Sequence, residues 1–93
     1  MQTEDSQVIV GRFFDALHAL IDRGVIRGKQ TFTRRYGINR WNMLTLEKEH
    51  NRDIFQPAWL TYLVRDYGVS ARWLLTGEGA MFPQKPQQPA ERG

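Results

Sequence analysis

Residues 28–49 read GKQTFTRRYGINRWNMLTLEKE. Phe32 and Tyr36 stand four apart, which places both rings on one face of a short helix, and Gly37 stops that helix. Asn39 restarts the chain, because its side chain can accept a hydrogen bond from the free amides of the turn that follows. A second helix is therefore expected from Arg40. Two short helices joined by a tight turn containing glycine predict a helix-turn-helix.

The charge around this stretch is uneven. The formal net charge of the 93-residue chain is only +3. Residues 23–52 nonetheless hold eight bases (Arg23, Arg27, Lys29, Arg34, Arg35, Arg40, Lys48 and Arg52) against Glu47 and Glu49, a net +6. Residues 1–22 carry four acids against Arg12, and residues 53–93 are balanced. A positive patch confined to a predicted helix-turn-helix is the footprint expected for phosphate binding, and its bland counterpart is a solvated basic face without a ligand.

Composition removes several classes. A chain of 93 residues makes one small domain that buries only about 60–65% of its unfolded surface. A hydrophobic content of 41% with three Trp, five Phe and three Tyr supplies one core, so disorder is expected only at the ends. The absence of cysteine excludes a disulfide scaffold and a thiolate metal site, and it fits a reducing compartment. No apolar run reaches the roughly 18 residues of a membrane span. The acidic start, with Glu4 and Asp5, lacks the basic and apolar regions of an export signal. A cytoplasmic, nucleoid-associated location is the expectation.

Outward from the helix pair, Ile9, Phe13, Ala16, Leu17, Leu20 and Ile21 recur at helical spacing and predict a first helix from about Ser6 to Arg23, ended by Gly24. Val25 and Ile26 of the connector are expected to tuck inward. A polar loop spans about His50 to Phe55. Pro57 fits the first turn of a fourth helix whose apolar stripe is Leu60, Leu63 and Val64, ending at Tyr67-Gly68. Ser70 caps a fifth helix, about Ala71 to Thr76, which contributes Leu74 and Leu75 and stops at Gly77. The organisation expected is an N-terminal arm over 1–7, a domain over 8–82 and a Pro/Gln-rich disordered tail or linker over 83–93. Strand signals and internal repeats are lacking.

The order of these segments, with Tyr36-Gly37-Ile38-Asn39-Arg40, the Leu46-Glu47 pair, and Tyr67-Gly68-Val69-Ser70 leading to Trp73-Leu74-Leu75-Thr76-Gly77-Glu78-Gly79, resembles the lambda-repressor-like (Cro-type, XRE) family of DNA-binding domains over roughly residues 8–82. The resemblance implies a compact all-α, five-helix domain with the helix-turn-helix at helices 2 and 3. It implies a bacterial or phage transcriptional regulator, acting as a repressor or dual regulator, that binds a double-stranded operator as a homodimer with helix 3 in the major groove. It carries Arg40, Trp41 and Thr45 onto base-reading positions. Lys29 falls where the family touches a phosphate or braces the reading side chain, and His50, Asn51 and Arg52 fall in a loop that donates to the backbone. Arg34 and Lys48 complete the expected backbone contacts. Helical geometry agrees for part of this set: with Met43 and Leu46 inward, 100° per residue puts Trp41, Thr45 and Lys48 on the opposite face and Arg40 at its edge.

Arg40 can bond guanine O6 and N7 together, or serve as a phosphate clamp or surface ion pair. Trp41 departs from the family, which usually has a small polar residue there. It can meet a thymine methyl or sugar edges, lean back with Leu44 into a local cluster, or form with Leu44 a patch for a protein partner. That last option supports a different function on the same fold, an antitoxin-like or polymerase-binding interaction module. Helix 5 and Met81-Phe82 are the expected contributors to a dimer surface. His18 is expected as a partly buried packing residue, and Trp59 and Trp73 as core or dimer-surface residues. Arg35 is expected to meet phosphate or simply be solvated. With two histidines, no cysteine and no paired carboxylates at helical spacing, no catalytic residues, metal site, cofactor or small-molecule ligand is expected.

Overall fold

Thr3 opens the first helix by accepting a hydrogen bond on its side-chain oxygen from the Ser6 amide at 3.1 Å. In the computed structural model, which describes residues 3–83, helix α1 runs Glu4–Asp22. Residues 4–7, expected as part of an arm, are therefore its first turn, and Glu4 and Asp5 place negative charge where the helix dipole favours it. The remaining helices are α2 (Lys29–Tyr36), α3 (Arg40–Lys48), α4 (Ala58–Tyr67) and α5 (Ala71–Thr76), with no strand among the described residues. No described helix is long and apolar enough to cross a membrane. The predicted tail falls outside the described residues beyond position 83.

The chain divides into two compact units, Met1–Phe55 and Gln56–Gly93. The first carries α1, α2 and α3. Its buried side chains are Val10, Phe13, Phe14, Ala16, Leu17 and Leu20 of α1, Phe32 and Thr33 of α2, Met43 and Leu46 of α3, and Ile26 between α1 and α2. Phe13 is the hub, meeting Phe14, Phe32 and Phe55 edge-on with ring centroids 5.1, 5.7 and 5.5 Å apart. The buried stripe of α1 is centred differently from the one expected, since Val10 and Phe14 are buried whereas Ile9 and Ile21 are half-exposed. Only one of the two connector residues tucks in: Ile26 is buried and Val25 is 54% exposed.

The turn between α2 and α3 is local chemistry. Gly37 has φ 66°, a left-handed conformation that a side chain disfavours, and this lets the amides of Gly37 and Ile38 both donate to the Thr33 carbonyl. Asn39 then accepts from the Asn42 amide on its side-chain oxygen at 3.0 Å and starts α3.

In the second unit, Pro57 occupies the cap position just before α4 rather than its first turn. Trp59, Leu63, Val69 and Leu74 are buried. Trp59 and Leu63 stand one helical turn apart, so the buried stripe of α4 is rotated from the expected one and leaves Val64 exposed. Leu75, expected to join Leu74 inside, is 53% exposed. Ser70 caps α5 by accepting from the Trp73 amide, and its own amide donates to the Met81 carbonyl at 2.8 Å, which ties the segment after α5 to its start.

Candidate nucleic-acid interface

Helix α3 is short and strongly sided. Met43 and Leu46 are fully buried, so the opposite face is fixed by the helical repeat. That face carries Trp41 and Lys48, both exposed, and Thr45, half-buried; Arg40 lies exposed at its edge and at the start of the helix. Trp41 is 66% exposed and Leu44 is 36% exposed, so neither belongs to the core.

Of the eight bases around the helix pair, several are spoken for. Lys29 Nζ donates to Glu47 Oε1 at 2.5 Å, and Arg52 pairs with Glu49 at 3.4 Å on the surface. The Arg35 guanidinium lies 5.2 Å from the centre of the Tyr36 ring. Arg27, Arg34, Arg40 and Lys48 have no ion-pair or hydrogen-bond partner on their side chains among the described residues. Two of these free cations, Arg40 and Lys48, are on α3, and Arg34 is on α2.

Two residues expected at the backbone of a nucleic acid are engaged inside the protein. Lys29 joins the first residue of α2 to Glu47 near the end of α3, and His18 Nε2 of α1 donates to the other carboxylate oxygen of Glu47 at 2.7 Å. One carboxylate thus ties all three helices of this unit. His18, expected as a partly buried packing residue, is exposed and engaged through its ring nitrogen. His50 lies parallel to the Phe14 ring, with centroids 5.9 Å apart and planes 7° from each other. Gly11 of α1 lies next to it, where a β-carbon would stand 3.6 Å from the imidazole, an ordinary van der Waals contact. Asn51 is exposed in the loop after α3.

The charge state of Glu47 follows from its surroundings. Partial burial raises the carboxyl, but hydrogen bonds from Lys29 and His18, reinforced by their charge, outweigh that and hold it below its ordinary value of 4.5. Glu47 is therefore a carboxylate at neutral pH. The sequence carried one signal for it: four residues after buried Met43, it lies about 40° from the inward direction of α3, where a charge needs partners. The partners lie 18 and 29 residues away, beyond what helical spacing resolves.

No group of three or more metal-ligating side chains occurs among the described residues. No family model, curated protein or solved structure matches the chain.

Proposed function

We propose that the first unit binds double-stranded DNA sequence-specifically, with α3 in the major groove and α2 bracing it across the backbone, in the manner of lambda-repressor-like domains, and that the protein is a homodimeric transcriptional repressor. The observation that carries this reading is the outer face of α3, where Trp41, Thr45 and Lys48 stand opposite a buried Met43–Leu46 seam with Arg40 at the edge, and both cations lack internal partners among the described residues. Base edges are read by side chains near the start of such a helix, and free cations are what phosphates attract. Arg34, Lys48 and Arg52 are the backbone donors; the weak exposed pair of Arg52 with Glu49 yields readily to a phosphate. A single module buries only about 600–1,000 Å² on DNA, so useful specificity needs two copies on half-sites about one helical turn apart. Leu75, exposed on α5, supports that helix as the contact between copies.

The test is selection of bound duplexes from a random pool, followed by fluorescence anisotropy across a salt series. Three phosphate contacts per protomer give a slope of log K against log salt of about −5 for the dimer, a loss of about three orders of magnitude between about 50 and 200 mM salt. Failure to retain any duplex at about 50 mM salt defeats the proposal. The exposed Trp41 and Leu44 favour one second reading, an interaction module for a protein partner, whose apolar contact would be insensitive to the same salt series.

A further inference from the structure

Trp41 is the one tryptophan the protein does not use for packing. Trp59 is buried and Trp73 is half-buried, whereas Trp41 is 66% exposed and meets no ring, cation or hydrogen-bond partner among the described residues. It follows Arg40 directly and shares its helix face with Thr45, so any ligand seated against this face of α3 covers the indole along with the polar groups. Covering an aromatic surface of this size with hydrogen-bonding edges alone would desolvate them without return. The complement must itself present an apolar group. On the floor of the major groove there is one such group in unmodified DNA, the C5 methyl of thymine.

We infer that Trp41 is a specificity-determining residue that reads a thymine methyl beside the base pair contacted by Arg40, so that the operator half-site pairs a guanine with a neighbouring thymine. This rests on the duplex-binding reading above and adds to it the chemistry of one base. Arg40 supplies the hydrogen-bonding half of the recognition, since a guanidinium matches guanine O6 and N7. Trp41 supplies the apolar half. The indole gains affinity from the methyl alone, because the O4 acceptor of thymine is unchanged when the methyl is absent.

Uracil in place of thymine removes the methyl and leaves every hydrogen-bonding group of the base, so it isolates this contact. The full chain is titrated against the selected duplex and against versions carrying uracil at each thymine in turn. Burial of one methyl corresponds to about a fourfold change in affinity, and about fifteenfold when both half-sites are changed. The expected result is one position per half-site where uracil weakens binding by that factor, with the difference abolished in Trp41→Ala, which removes an exposed side chain and leaves the core intact. Equal binding of thymine and uracil at every position in the wild-type protein overturns the inference and assigns Trp41 to sugar edges or to a protein partner. So does a Trp41→Ala variant that keeps the wild-type ratio. Absence of any selected duplex is a separate result, which removes the duplex reading itself and this inference with it.

Discussion

Lys29→Ala separates two roles that the position could play. Lys29 is the first residue of α2, where a positive charge is opposed by the helix dipole by about 0.3–1 kcal/mol, so its presence there does not serve the helix. Its ammonium donates to Glu47, and the two side chains are 28% and 22% exposed, too enclosed for a free surface pair and too open for a buried one. A hydrogen bond between charged groups contributes about 1.5–3 kcal/mol, an exposed ion pair about 0.2–1. Allowing for the relieved dipole term, removal of Lys29 should lower stability by about 1–2 kcal/mol, which for a domain of this size is a fall in Tm of about 5–15 °C. Deleting a cation that neutralises a phosphate makes the salt slope of DNA binding shallower by about 0.9. The variant should therefore melt earlier yet keep the wild-type slope. A slope reduced by about 0.9 per protomer together with an unchanged Tm would refute the argument and return Lys29 to the phosphate backbone.

Glu47 gives the pH counterpart. Its carboxyl is lower in the folded protein than its ordinary 4.5, so its contribution is fully present above about pH 4.5 and is lost as pH falls through the lowered folded value. Glu47→Gln should accordingly be less stable at pH 7 and lose less on acidification than the wild type, as thermal melts at a series of pH values would reveal. Asn39→Ala removes the cap of α3 and should cost about 1 kcal/mol by chemical denaturation, with the m-value unchanged. Arg40→Ala should relax preference at one base pair by about 1–3 kcal/mol in a panel of single-mismatch duplexes; a uniform loss over the whole panel would demote it to a phosphate contact.

Features settled within one or two turns were legible in the sequence. Gly37, Asn39, Gly68 and Ser70 each act on amides or carbonyls a few residues away, so the turn between α2 and α3, the start of α3, the end of α4 and the start of α5 follow from residue type. Thr3 is legible in the same way, since a threonine before Glu4 and Asp5 is a helix start; apolar periodicity alone places the start later because the first turn is polar. Distant pairings were not legible. His18 sits beside an apolar stripe and so reads as a packing residue, but its partner is on α3. His50 has polar neighbours and so reads as facing outward, although its ring stacks on Phe14 of α1. Val25 and Ile26 lie in a non-helical connector, where no period says which of two adjacent residues faces in.

The internal pairings alter what the charge of the helix pair can do. Read as sequence, residues 23–52 offer net +6 to a polyanion. In the folded protein Lys29 is committed to Glu47, and Arg52 is partly occupied by Glu49. The cations left without partners among the described residues, Arg27, Arg34, Arg40 and Lys48, are few. Non-specific affinity scales with the number of phosphates neutralised, so a single protomer with so few free cations should hold random duplex weakly. On the proposed reading, discrimination then depends on what the outer face of α3 adds, the forked donor of Arg40 and the apolar plane of Trp41, and on doubling both through a second copy. Phosphate contacts strengthen specific and non-specific complexes alike, so the ratio between them, the quantity that matters for finding one site among many, rests on the base contacts of that face.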